Sequence, residues 1–207
     1  VIDILTSSFL VTAKLAGIAY ILAVVLGVVV GVVAAVNHGK WVDSVLMTIS
    51  VFGISAPAFW IAIILQIVIC LKFNLLPLSG IDSFKSFILP GIALGTRYAA
   101  SIARITRTSM LDVLSQDYIR TAEAKGLKGW VVTIKHALRN ALIPIITIAG
   151  SDLGNILTGS VLVESVFSIP GIGKMLVDSI NTRDLPIVQG GVMYIAVICV
   201  IMYLVVD

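Results

Sequence analysis

The sequence predicts an all-α, polytopic bundle of transmembrane helices, and three observations carry that prediction. Hydrophobic residues make up 59% of the 207 and charged residues only 12%, against about 45–50% and about 25% in soluble domains. Mean hydropathy is +1.11. The apolar residues also gather into runs close to the roughly 20 needed to cross a bilayer at about 1.5 Å per residue. A water-soluble fold of this size must keep its surface largely polar and has no place for so much apolar surface. The length suits a single domain over residues 1–207.

About five spans are expected, in order. The first, 9–36, carries one charge, Lys14, near its start. The second, 45–71, contains Pro57, whose missing N–H should kink it. The third, 88–103, is the least apolar and holds Gly91, Gly95 and Arg97. The fourth, 141–163, includes Pro144, Asp152 and Asn155; the fifth, 187–206, has no charge inside it. Gly27 with Gly31, Gly91 with Gly95 and Gly150 with Gly154 stand at the spacing that lets helix backbones approach in lipid. The chain opens on Val1 and closes just after an apolar run, so a first span upstream is expected to be missing. Cys70 and Cys199 sit in apolar runs as small hydrophobes, and His38 and His136 are isolated, so no metal site is expected.

Basic loops stay in the cytoplasm. The stretch 104–140 holds Arg104, Arg107, Arg120, Lys125, Lys128, Lys135 and Arg139, half of the 14 basic residues. It is therefore expected inside. Alternation then places 37–44 inside as well, and 72–87 and 165–186 outside. Lys14 is expected to snorkel to the outer interface, where Glu164 is also expected.

The stretch 104–140 also has internal structure. Asp117 is a good N-cap, Lys125 falls in a last turn, and Gly126 can take the left-handed conformation that ends a helix. Val131, Ile134, Leu138 and Leu142 recur at helical spacing from about Trp130. Two short helices hinged at Gly126 are expected. Thr121, Ala122 and Ala124 give the first of them small side chains that leave room for another protein. The other reading of so basic a surface is attraction to anionic lipid headgroups.

The run Asp117-Tyr118-Ile119-Arg120-Thr121-Ala122-Glu123-Ala124-Lys125-Gly126-Leu127 resembles the cytoplasmic loop of permeases of the oligopeptide, dipeptide and nickel ABC importers. So does His136-Ala137-Leu138-Arg139-Asn140-Ala141-Leu142-Ile143-Pro144. Leu111 to Gln116, Ala56-Pro57-Ala58-Phe59-Trp60 and Ser165 to Gly173 fit the same family in order. In the wider importer pattern an acidic residue stands where Arg120 is and a Pro where Arg139 is. Those departures suit the peptide and nickel subfamily and weaken any role for an acid at that position.

The resemblance implies a transport subunit and not an enzyme. It would form half of a pathway for peptides, or less readily for nickel or another metal chelate, in a bacterial inner membrane. Asp117, Tyr118, Arg120, Thr121, Ala122, Glu123, Ala124, Lys125, Gly126 and Leu127 would form the coupling helix that seats in a separate ATPase. Expected partners are a second homologous permease, two ATP-binding cassette subunits, an extracytoplasmic solute-binding protein and membrane lipid, with no nucleic acid. This chain has no Gly-rich phosphate loop, so ATP and Mg would be held by the partner.

Ionisable and amide groups within a span tend to face an interior or a water-filled cavity. Arg97, Asp152 and Asn155 are therefore the candidates for lining the pathway. Hydrogen bonding between helices of the subunit, or pairing across a permease dimer, would also place them there. The competing class is a secondary transporter driven by an ion gradient, with Asp152 as its ion site. Such transporters are commonly built from internal repeats, and none is evident here.

Overall fold

The computed structural model describes residues 2–81 and 83–206, with side chains through 204, and every regular element among them is helical. Helix α1 runs Ile2–Val36, α2 Trp41–Ser55 and α3 Ala58–Leu65, the last continued by a π turn at Gln66–Lys72. A 3₁₀ turn leads into α4, Ile88–Leu114. The short α5 is Asp117–Ala124. Helix α6 runs unbroken over Gly129–Val166, with a π turn at Val132–Leu138. Helices α7, Ile172–Asn181, and α8, Leu185–Val206, close the chain.

Three helices are long and apolar enough to cross a membrane: α1, α6 and α8. A fourth span results if α2 and α3 count as one broken span. The third expected span, 88–103, lies within the helix α4, whose polar and basic residues make it the least apolar. The kink expected at Pro57 is a turn of 104° between two helices. Ala56, held extended by the proline after it, ends α2, and Pro57 occupies the N-cap of α3. The second short helix of the expected hairpin and the fourth expected span are one rod of 38 residues, about 57 Å long. That exceeds a hydrocarbon core of about 30 Å, so α6 carries the basic stretch out of the membrane rigidly.

Helix α4 is the centre of the bundle and packs on α1, α2, α3 and α6. The α1–α4 seam is built on glycines from both sides. A Cβ at Gly27 would lie 2.8 Å from the carbonyl oxygen of Ala99, and one at Gly95 2.8 Å from that of Ala19. Gly31 meets Thr106 and the Ala103 carbonyl in the same way. Lipid gives no hydrophobic drive to helix pairing, so close backbone approach and dispersion hold such a seam. Buried Leu15, Ala19, Leu94, Ile156 and Phe167 form one core; Ala23, Ile102, Met110, Ile145 and Ala149 form the other. The outward faces of α1, α2, α3 and α8 expose Leu, Ile and Val, as lipid-facing helices do.

Hydrogen bonds close the two ends of the bundle. Gln66 Nε2 donates to the carbonyls of Leu78 (2.9 Å) and Val166 (3.1 Å), joining 72–87 to the end of α6. At the other end the link 37–44 meets α4 close to the basic stretch. The two pairs of loops therefore lie at opposite ends, as alternating spans require.

Candidate functional site

At the basic end Asp43 is the organising group. Arg107 grips it with two bonds, Nε to Oδ1 at 2.6 Å and Nη2 to Oδ2 at 2.7 Å, and the Gly39 N–H donates to Oδ2 at 3.2 Å. His38 is not isolated. Its Nδ1 lies 3.0 Å from Arg107 Nη2 and 3.2 Å from Asp43 Oδ2. It accepts from the guanidinium in one tautomer and donates to the carboxylate in the other. Asp43 stands in the first turn of α2, ahead of the apolar run, enclosed by these neighbours at the edge of the bundle. The Arg107 hydrogen bonds, joined by those from Gly39 and His38, hold its carboxyl well below the usual carboxylate range. Bonding to Asp43 in turn raises the Arg107 value.

A depressed folded-state pKa gives stability that is present above the unfolded value, about 3.9 for Asp. It is lost only as pH falls through the lower folded value. Asp43→Asn should therefore still carry its cost at pH 5, as it does at pH 8, of about 1–2 kcal/mol for a partly exposed bidentate pair. Thermal unfolding in detergent at both pH values checks this. A cost that vanished at pH 5 would count against the ion pair as its source.

Beyond Arg107 the chain turns into α5. Gln116, and not Asp117, occupies the N-cap, and no side-chain cap bond forms. Asp117 sits instead in the first turn, where the helix dipole favours an acid. It lies 3.8 Å from Arg120 in a fully solvated pair of little energetic weight. The other end is a Schellman cap. Gly126 takes φ +77°, its N–H donates to Glu123 O at 2.8 Å, and the Leu127 N–H donates to Ala122 O at 3.4 Å.

Ile119 and Ala122 are buried against Val132, Ala137 and Ala141. Tyr118, Arg120, Thr121, Glu123, Ala124, Lys125, Gly126 and Leu127 face out together with Asp117. Of the ten residues grouped by sequence as a docking surface, Ala122 alone is turned into its own subunit.

Deeper in the bundle the structure brings Arg97, Asp152 and Asn155 to one cavity of about 490 Å³, walled also by Tyr98, Ser101 and Thr158. Tyr203 of α8 donates to Asn155 Oδ1 at 3.1 Å. Among the described residues no ion pair joins Arg97 to Asp152, and Asp152 Oδ2 is buried with no hydrogen-bond partner. The cavity belongs to a longer polar stripe. Arg97, Arg104 and Thr108 are exposed on one face of α4. Thr147, Ser151, Asn155 and Thr158 are exposed on α6 at spacings of three and four. Thr147 and Ser151 donate back to carbonyls four residues earlier, which satisfies them without water.

Sequence reasoning missed Glu164. It does not lie at an interface with lipid but is fully buried. Thr12 Oγ1 donates to Oε1 at 2.7 Å, Ser160 Oγ donates to the same oxygen at 2.9 Å, and the Lys174 N–H donates to Oε2 at 3.1 Å. Thr12 in turn accepts the Ile172 N–H at 2.9 Å. A carboxylate thus closes the N-terminus of α7, and Gly171 and Gly173 lie against it with no room for a Cβ. The available signal was an acid at the end of one apolar run and a lone threonine inside another. Nothing in the spacing joined them.

The family of binding-protein-dependent transport system inner membrane components matches residues 27–207. This chain belongs to that family. It is 44% identical to the glutathione transport system permease protein GsiC of Escherichia coli over 207 residues, covering all of this chain and 68% of that protein. The identity to the Salmonella choleraesuis protein of the same name is 44% over 203 residues, covering 98% of this chain and 66% of that protein. Two solved structures share the fold. One is the MetNI methionine ABC transporter in inward-facing conformations, with a TM-score of 0.81 at 15% identity, covering 100% of this chain and 94% of that one. The other is an amino acid ABC transporter with histidines, with a TM-score of 0.74 at 16% identity over 99% and 91%. The chain is thus a multi-pass ABC importer permease of the peptide type. Family membership decides against the ion-gradient-driven alternative.

Proposed function

We propose that this permease forms half of the translocation pathway of an ATP-driven peptide importer and is moved by a separate ATPase through α5. The polar wall of α4 and α6 carries the reading. An arginine facing lipid at the centre of a span costs about 2.5–3.5 kcal/mol or more, so exposed Arg97 belongs beside water or a second polar wall. A second homologous permease, presenting the like face, completes a lined passage. Arg97, Asp152 and Asn155 line this half.

The outward face of α5 is the other half of the mechanism. It is helical, closed by the Gly126 cap at its C-terminal end, and packed through Ile119 and Ala122 onto the start of α6. α6 then runs as one rod past Asp152 and Asn155 to Glu164. A push on α5 therefore reaches the cavity wall through continuous helix, which is the rigid element a two-state device needs. Two ATP-binding cassette subunits hold ATP and Mg and hydrolyse the nucleotide. A solute-binding protein delivers cargo at the end formed by 72–87 and 165–186. The stretch 104–140 lies in the cytoplasm of a bacterial cell. The GsiC relatives are named for glutathione, itself a tripeptide, which favours peptide-like cargo. A bare nickel ion would meet the Arg97 charge.

Thr121→Trp places a large side chain on the exposed face of α5 and should cut ATPase co-purification by about tenfold, as removal of a hot-spot contact does. The thermal midpoint in detergent should hold, because Thr121 is exposed. Ala122 is unsuitable for this test because it packs inside the subunit. Purification from native membranes in mild detergent, with mass spectrometry of what accompanies the chain, reads the result. Absence of any ATPase beside the unmodified chain, or full retention beside Thr121→Trp, would sink the coupling reading.

A further inference from the structure

We infer that the cavity between α4 and α6 is a transient zwitterion site, in which Arg97 takes a carboxylate end of the solute and Asp152 an ammonium end. This deepens the reading above and rests on it for the solute's access to the cavity. The cavity of about 490 Å³ lies within the range of about 300–1,000 Å³ typical of small-molecule sites. It presents one cation and one anion that do not pair with each other, and Asp152 Oδ2 is buried without a partner. Unpaired charge away from bulk water is costly and calls for a counter-charge.

A single-charge solute meets only one of the two. A divalent cation is attracted by Asp152 and repelled by Arg97, and an inorganic anion the reverse. A molecule with both signs a few bonds apart neutralises both. Ser101, Thr158 and Asn155 add neutral hydrogen-bonding groups beside the charges and suit the peptide bonds between such ends. Asn155 is steadied by Tyr203, so its position does not depend on the solute. The site has to be weak, since a transport pathway must release what it binds.

The test is thiol labelling of a Ser101→Cys variant in the transporter purified with its accompanying subunits in mild detergent. Cys70 and Cys199 are followed separately on their own peptides by mass spectrometry. For a site with a dissociation constant of about 1 mM, trialanine at about 10 mM should slow labelling of the new cysteine roughly tenfold. N-acetyl-trialanine and trialanine amide should each give little protection. Protection by trialanine, taken as the ratio to labelling of the same variant without peptide, should also disappear in Arg97→Gln and in Asp152→Asn. No protection by trialanine, equal protection by either blocked peptide, or protection that survives both substitutions would each overturn the inference. ATP-driven uptake of trialanine into proteoliposomes, measured in parallel, reads the importer assignment separately. Protection without uptake defeats that assignment and leaves the site; uptake without protection does the reverse.

Discussion

Glu164→Ala is expected to destabilise the permease by about 3 kcal/mol and to free the segment that follows α6. The carboxylate is fully buried and accepts from Thr12, Ser160 and the Lys174 N–H. Removing it leaves three donors in a closed space. The two hydroxyls have second acceptors at hand: Ser160 Oγ is 3.0 Å from Leu157 O, and Thr12 Oγ1 is 3.4 Å from Ser8 O. The Lys174 N–H has none nearby and carries most of the cost, about 1–3 kcal/mol for an unsatisfied buried donor. Loss of negative charge at the N-terminus of α7 adds a few tenths to about 1 kcal/mol.

Glu164→Gln should cost less. Its amide oxygen can take the Lys174 N–H and its amide nitrogen can donate to the Ser160 hydroxyl, which then turns to Leu157. Thr12 already accepts from Ile172 and is the poorer partner for that nitrogen. The order wild type, Gln, Ala in thermal midpoint, together with faster proteolysis within 165–185 for Ala, is the expected record. Equal midpoints for all three would show that the buried bonds contribute nothing net.

How much of this was legible in the sequence follows from the range of each interaction. Gly126 ended a helix as read, because a left-handed cap is a local property of glycine. A kink at Pro57 was legible for the same reason, through the N–H that proline lacks. Its angle of 104° was not, since packing of α2 and α3 on α4 sets it. Arg97 and Ser101, and Asp152 and Asn155, share helical faces by spacing alone. That the two faces meet across one cavity is a tertiary fact, fixed by the α4–α6 contact. The inward turn of Ala122 depends on Val132 and Ala137, which the sequence assigned to a separate short helix. Glu164 was the least legible, because its partner Thr12 lies 152 residues away.

Gly31→Ala and Gly17→Ala are expected to move stability in opposite directions, although both change a glycine to alanine inside α1. In an exposed helix interior alanine is favoured over glycine by about 1 kcal/mol. Gly17 has open space around the position a Cβ would take, so Gly17→Ala should keep that gain. A Cβ at Gly31 would collide with the Thr106 side chain and lie 2.6 Å from the Ala103 carbonyl oxygen. One of these is backbone and cannot swing aside. α1 and α4 would have to part, and in lipid the lost dispersion is not replaced by any hydrophobic drive.

Overpacking of this kind costs about 1–3 kcal/mol and exceeds the propensity gain. The loss should also spread. Gly27 and Gly95 lie along the same seam, so separation at Gly31 loosens the helix that carries Arg97 and the whole wall it forms with α6. Thermal unfolding in detergent should therefore show a raised midpoint for Gly17→Ala and a lowered one for Gly31→Ala. Two variants that shift the same way would mean that propensity, and not the close approach of α1 to α4, governs this helix.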